Sequence, residues 1–295
     1  MTGTTLGLGI LSWRAPRSLR LSLESYARAD LFGIFDEVCI VFQECTPEDE
    51  ALAREFGLPW RGFADNLGIL GGFKRMAESL QSDYALLLEE DFTLEENASE
   101  ARRQIREALA DLRARRVDLY HFRHLHKHDH AIAYAVTKHR RYHLPRQDIS
   151  GRSPPSLASR LLTRGRSLLL APRAQRLRGR AVYCERNPHQ AFPEAISRTP
   201  EGNYVIDSRA FDWTNPGTLI RRDFMLETIV PYVEQHPSRI KQRNGFQNIE
   251  SALRCPWWRR AGFKAGIANP GLFRQQPLQR QQVRLPDGTI TSRNP

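Results

Sequence analysis

The chain has 295 residues, 40% of them hydrophobic, and a formal net charge of +11. That much apolar material suits one large α/β domain or two small ones and argues against a disordered chain. No run reaches the roughly 18 uninterrupted apolar residues of a membrane-spanning helix, and the start MTGTTLGLGILSW lacks the basic and long apolar regions of a signal peptide.

In chain order, Leu6 to Leu11 reads as a strand ending in Ser12-Trp13-Arg14. Pro16 opens a helix in which Leu19, Leu23 and Tyr26 recur at a spacing of three to four. Glu37 to Phe42 is β-branched and aromatic, the pattern of a buried strand. Pro47 then starts a helix with an acidic first turn, as the helix dipole favours. Leu58 to Phe63 is a short extended piece, Gly68 to Gly72 a flexible turn, and Phe73 to Leu80 a helix. Tyr84 to Leu88 is a strand that runs directly into Glu89-Glu90-Asp91. A helix over about 95–116 and a strand Val117 to Phe122 follow.

Strands alternating with helices imply a mostly parallel sheet with right-handed crossovers, and such sheets bind ligands beyond their carboxyl strand ends. Ser12-Trp13-Arg14, Gln43-Glu44 and Glu89-Glu90-Asp91 therefore converge on one crevice. Three carboxylates at one strand end repel one another unless a cation sits among them. Mg2+ or Mn2+ suits that position, because hard cations take carboxylate oxygens and leave places for substrate phosphates. The same acidity also reads as a solvated strand-to-loop junction.

Charge is unevenly spread. Residues 101–180 hold 20 Lys/Arg against 5 Asp/Glu, a surplus of +15 that leaves the rest of the chain at −4. Within this stretch, 139–180 carries eleven arginines from Arg140 on, with Ser, Gly and Pro punctuation, and reads as an insertion or mobile loop. Its segment LASRLLTRGRSLLL mixes leucine with arginine and suits peripheral contact with an anionic membrane or an acidic acceptor. A solvated arginine-rich loop is the plain alternative. Nucleic acid is disfavoured, since no aromatics are interleaved for base stacking.

Beyond the insertion, Phe211-Asp212-Trp213, a strand Thr218 to Ile220, a helix through Phe224 to Val233 and a helix holding Ile249-Glu250 follow. The Gln/Arg-rich stretch after Phe273 reads as a surface segment. His121, His124, His126, His128 and His130 form a run whose last four members would share one face of a strand. Zinc is one reading of that run, and a sugar- or phosphate-facing role is another. Cys39, Cys45, Cys184 and Cys255 share no CxxC spacing and read as free thiols of a reducing, cytoplasmic compartment.

Residues 6–94 resemble the nucleotide-binding half of family-2-like glycosyltransferases with the GT-A fold. The resemblance is carried by the strand ending in SWR, by DEVCIVFQE, by Asn66-Leu67-Gly68 and by SDYALLLEEDFTL. It implies a GT-A-like, mostly parallel central sheet flanked by helices, with a basic insertion and a C-terminal acceptor-side region. Residues 1–95 would form the nucleotide-sugar-binding half and 96–295 the acceptor-side half of one domain.

The implied activity is transfer of a sugar from a nucleotide-diphosphate sugar, a UDP-sugar by family frequency, to a hydroxyl of a glycan or glycolipid, with inversion. Ser12, Trp13, Arg14, Glu44, Asn66, Gly68, Lys74, Glu89 and Glu90 would bind the donor. Asp91, with Glu89, would hold Mn2+ or Mg2+. Trp213 to Arg222 and Asn248 to Arg254 resemble acceptor-side pieces, making Glu250 the first choice of base and Asp212 the second.

The chain departs from the family pattern twice. Glu89 stands where the first Asp is usual, and the stretch Pro270 to Gln275 offers no late histidine ligand, the last histidine being His236. Two other classes share part of this pattern. A nucleotidyltransferase would use the same scaffold but carry a glycine-rich phosphate loop where SWRAPRS stands. A non-enzymatic basic adaptor for nucleic acid or membrane would account for the charge and leave the acidic triplet without a purpose.

Overall fold

The computed structural model describes residues 4–127, 129–153, 156–215, 217–237, 242–243, 245–277, 283–284 and 290–291. The first half alternates as expected: β1 (Leu6–Trp13), α1 (Pro16–Arg28), β2 (Glu37–Gln43), α2 (Pro47–Glu55), β3 (Trp60–Phe63), α3 (Gly68–Ser79) and β4 (Tyr84–Glu89). Then come β5 (Phe92–Leu94), α4 (Ala98–Arg113), β6 (Leu119–His121), α5 (His130–Arg140), α6 (Leu157–Leu169), α7 (Ala171–Gln175) and α8 (Pro188–Ala191). The remainder runs through β7 (Ile196–Arg198), β8 (Tyr204–Asp207), β9 (Thr218–Arg221), α9 (Val230–Gln235), β10 (Gln242–Arg243) and β11 (Phe246–Gln247). It continues with α10 (Ile249–Leu253), α11 (Pro256–Arg260), β12 (Lys264–Ile267) and β13 (Phe273–Gln275).

One sheet of nine strands, in the order β3-β2-β1-β4-β9-β6-β12-β8-β7, spans both halves of the chain. Only β9 and β8 run against the others, so the sheet is mostly parallel in direction. Its central strands bury both faces, which is why they read as continuous apolar runs. Ile10, Ile40, Phe42, Leu86 and Leu88 face one core with Leu19, Leu23, Leu52 and Ile105 of α1, α2 and α4. Leu11, Val41 and Leu87 face the other, with Phe73 and Met76 of α3, Trp213 and Trp258. Helix α2 starts in a reciprocal cap, Thr46 and Asp49 each bonding the other's backbone N–H. No helix of the described residues is long and apolar enough to cross a membrane.

Two expectations are corrected. Gly68 to Gly72 is not a flexible turn but the first turn of α3, because Leu70 and Phe73 are buried by the same helical face as Met76. The basic stretch 139–180 is largely helical, containing α6, α7 and a 3-10 turn at Arg178–Tyr183. The helix expected through Phe224 to Val233 is present, as a π-helical segment Phe224–Ile229 that runs into α9. Of the stretch after Phe273, Arg274 and Gln275 belong to β13, paired with β5, and 274–277 are half-buried to exposed, while most of the remainder lies outside the described residues.

Candidate functional site

Parallel pairing brings the ends of β1, β2, β3 and β4 to one edge of the sheet: Trp13 pairs with Gln43, Gln43 with Phe63, and Leu11 with Glu89. At this edge Trp13 Nε1 donates to Glu44 Oε2 at 3.0 Å, and Arg14 forms an ion pair with the same carboxylate. Arg14 and Glu44 both have left-handed backbones, φ 52° and 50°. Such geometry costs about 1–3 kcal/mol for a residue with a Cβ and collects at binding sites. Gln43 Oε1 accepts from Leu67 N–H at 2.6 Å, and Asn66 Oδ1 accepts from Gly68 N–H at 2.8 Å. Gly68 has φ +67°, and a Cβ there would lie 2.3 Å from Phe246 Cβ, so only glycine fits. Ser12 Oγ is buried and has no hydrogen-bond partner among the described residues.

Beside this edge opens a cavity of about 600 Å3. Glu89 enters it from the end of β4, Ile69 from α3, Arg123 from beyond β6, and His130, Ile132 and Tyr134 from α5. Arg176, Arg180 and Tyr183 come from the basic insertion, Asp212, Thr214 and Asn215 from the loop before β9, and Glu250, Arg254 and Gln275 from the C-terminal region. Three of the predicted site residues, Glu89, Asp212 and Glu250, thus meet in one space. Ser12, Trp13, Arg14, Glu44, Asn66 and Gly68 lie outside its wall, at the neighbouring strand ends. Lys74 points to α9, where it pairs with Glu234 at 2.7 Å.

The carboxylates of the cavity are held unequally. Glu250 Oε1 accepts from Asn215 N–H at 3.1 Å, and Arg254 Nη2 lies 3.8 Å from Oε2. Glu89 is pushed well above the usual carboxylate range, first by burial and then by Asp91, Glu90 and Glu250, against a lowering bond from Asn215. Arg180 is driven below the usual arginine range by burial and by Arg254, with Asp212 opposing. Its Nη1 is buried and has no hydrogen-bond partner among the described residues. Desolvation that Asp212 only partly offsets favours an anion beside this guanidinium.

Glu90 and Asp91 are buried at the turn after β4, with 5% and 6% of their surface exposed. The Glu90 carbonyl accepts from Ser22 Oγ at 2.8 Å, and Asp91 Oδ2 accepts from Gln275 Nε2 at 2.9 Å. Neither residue lines the cavity. Among the described residues no group of three or more His, Cys, Asp or Glu side chains is placed to hold a metal ion. Glu89 and Asp91, the expected pair of metal ligands, stand at the end of β4 and in the turn after it, and a cation there would take its further ligands from elsewhere.

The histidine run does not form the expected strand face. His121 is fully buried, with Nδ1 3.2 Å from Thr218 Oγ1, and its pKa is pushed down to about 3 by burial and Arg123. His124 Nδ1 accepts the N–H groups of His126 and Lys127, each at 3.1 Å, while Nε2 faces Glu96 Oε1 at 2.9 Å. Both nitrogens of His124 are engaged, so it has none left for zinc. His130 begins α5 and lines the cavity; His128 lies outside the described residues. Asp129, the carboxylate of that run, caps α5 at Ile132 N–H and pairs with Arg123 at 3.2 Å. The four cysteines are free thiols, as expected.

Arg123, Arg176, Arg180 and Gln275 were not legible as site residues in the sequence. Arginines 176 and 180 carry one signal, a position where the basic stretch gives way to the apolar Ala181-Val182-Tyr183. Nothing local marks Arg123 or Gln275.

No protein-family model and no curated protein sequence matches the chain. Among solved structures it is similar to S. aureus TarS 1-349, with a TM-score of 0.44 and 10% identity over 92% of this chain and 60% of that one. The same protein in complex with UDP-GlcNAc gives 0.45 and 10%, over 92% and 58%. Glucosyl-3-phosphoglycerate synthase from Mycobacterium tuberculosis, in complex with Mn2+, UDP and phosphoglyceric acid, gives 0.33 and 12%, over 40% and 43%. The chain thus spans three fifths or less of the length of these proteins.

Proposed function

We propose that the chain is a glycosyltransferase that moves a sugar from a nucleotide-diphosphate sugar, a UDP-sugar in the first instance, to a hydroxyl of a glycan or glycolipid. The observation that carries this reading is the cavity at the carboxyl ends of the parallel strands, where Glu89, Asp212 and Glu250 share one space with half-buried Arg180, whose Nη1 has no hydrogen-bond partner among the described residues. Carboxylates there can take a proton from an acceptor hydroxyl, and arginine can hold phosphate oxygens.

In this reading residues 1–95 hold the nucleotide, with Trp13, Arg14, Glu44, Asn66 and Gly68 at the strand ends, and residues 96–295 supply the acceptor side. Glu250, oriented by Asn215 N–H, removes the acceptor proton. The acceptor oxygen then bonds to the anomeric carbon, and the bond from that carbon to the diphosphate breaks. The nucleoside diphosphate leaves with the electron pair, and attack from the face opposite it inverts the configuration. Asp212 is the second candidate for the base. Arg180 and Arg254 face the phosphate charge that develops. Mn2+ or Mg2+ at Glu89 and Asp91 would need substrate phosphate oxygens to complete its shell, and the proton and phosphate roles above are derived without it.

A thermal-shift screen of nucleoside diphosphates and their sugars, with and without Mn2+, tests the reading. A ligand at 100 times its Kd adds about 2.7 kcal/mol to the native state. Stabilisation by one nucleotide supports the transferase and names its base. Flat curves across every nucleotide would remove the donor and with it the proposal.

A further inference from the structure

Helix α6 turns its apolar side to solvent. Leu157, Leu161, Leu162, Leu168 and Leu169 are 59–86% exposed, and Leu170 just beyond is 44% exposed. At 3.6 residues per turn, Leu157, Leu168, Leu161, Gly165, Ala158, Leu169 and Leu162 follow one another around an uninterrupted arc of about 140°. The opposite side carries Thr163, buried at 5%, whose hydroxyl reaches the Arg140 carbonyl at 3.5 Å. The helix is thus seated by its polar side and presents its leucines outward, the reverse of a helix packed on its own core.

Its charges are arranged to match. Arg166 borders the arc on one side and Arg160 and Arg164 on the other, and α6 contains no acidic residue. Leucine flanked by arginine on a helix lying along the surface is the pattern that enters the interface of an anionic bilayer: the leucines bury among acyl chains and the arginines stay at the headgroups. Pairing with a second copy would set the arginine borders of two such helices against each other, a like-charge contact that a lipid surface does not impose.

We infer that α6 docks the protein on an anionic membrane surface through Leu157, Leu161, Leu162, Leu168 and Leu169. This holds independently of the chemistry in the cavity. It places the enzyme where a lipid-linked acceptor would be found.

The test is co-sedimentation of the full chain with vesicles of phosphatidylcholine alone and with phosphatidylglycerol added, at low and high salt. Binding is expected to the anionic vesicles at low salt, weaker by about tenfold or more on neutral ones and at high salt. The double variant Leu161→Asp with Leu168→Asp should lose at least about tenfold in vesicle binding. Its melting temperature should not move, since both side chains are already exposed. Equal binding by the variant overturns the inference, as does absence of binding to either vesicle. A dimer in sedimentation velocity that the variant abolishes, without vesicle binding, would assign the arc to a second copy instead.

Discussion

Gln275 reaches Asp91 across 184 residues of sequence, its Nε2 donating to Asp91 Oδ2 at 2.9 Å. The bond exists because β13 pairs antiparallel with β5, setting Gln275 opposite Phe92. The stretch from Pro270 to Gln275 carries no histidine. A neutral amide stands there instead and bonds one oxygen of the carboxylate directly. Gln275→Ala should therefore leave Asp91 buried with one donor fewer and destabilise the fold by about 1–3 kcal/mol. Urea denaturation would read this as a lower midpoint with an unchanged slope.

Glu250 should be needed for chemistry and not for the donor. Glu250→Gln keeps an oxygen for the Asn215 N–H and removes the basic group, so turnover should fall by about 100-fold or more. The Kd for nucleoside diphosphate should stay within about twofold. Full turnover in this variant, alongside loss in Asp212→Asn, would transfer the role of base to Asp212.

Arg180 should trade stability for binding. Replacing it with methionine removes a half-buried guanidinium whose Nη1 has no hydrogen-bond partner among the described residues. Stability should hold or rise by about 1–2 kcal/mol, as when an uncompensated buried charge gives way to an apolar group. Affinity for nucleoside diphosphate should fall by about tenfold. Calorimetric titration beside a thermal melt reads both, and a variant that melts lower with unchanged affinity would make Arg180 a structural residue.

Acid should unfold the protein through its neutral histidines. His121 and His139 are each pushed from 6.5 down to about 3 by burial, although the Leu177 carbonyl, accepting from His139 Nδ1 at 2.9 Å, acts to raise the latter. Between about pH 3 and 6.5 the unfolded chain thus binds protons that the folded chain does not. Their contribution is fully present above about pH 6.5 and is lost as pH falls, by up to about 1.4 kcal/mol per pH unit for each histidine. His139→Gln should flatten the slope of unfolding free energy between pH 4 and 6 by one proton's worth. An unchanged slope would mean that His139 is protonated in the fold.

The sequence by itself determined the elements whose signal is local. In β1, β2 and β4, burial on both faces demands unbroken apolar runs, and α1 and α2 show themselves by helical periodicity, a proline start and an acidic first turn. The carboxylates at the end of β4 were visible because a strand end is itself a local feature, whereas Glu250 at the start of α10 was singled out by resemblance to an acceptor-side helix start.

Tertiary structure alone decided which of these residues share a cavity. Antiparallel β9, inserted between β4 and β6, brings Asn215 and Asp212 to Glu89, and β13 brings Gln275 to Asp91. The helices of the arginine-rich stretch likewise depend on contacts that composition does not encode. His139 and His143 of the α5 region bond the carbonyls of Leu177 and Ala174, fastening that stretch over the cavity so that Arg180 faces inward. Periodicity reports how a segment meets its nearest core. Which charge faces which is settled only when segments more than 100 residues apart are packed together and desolvated, and that step gives Glu89 its raised pKa and sets Arg180 in the same cavity.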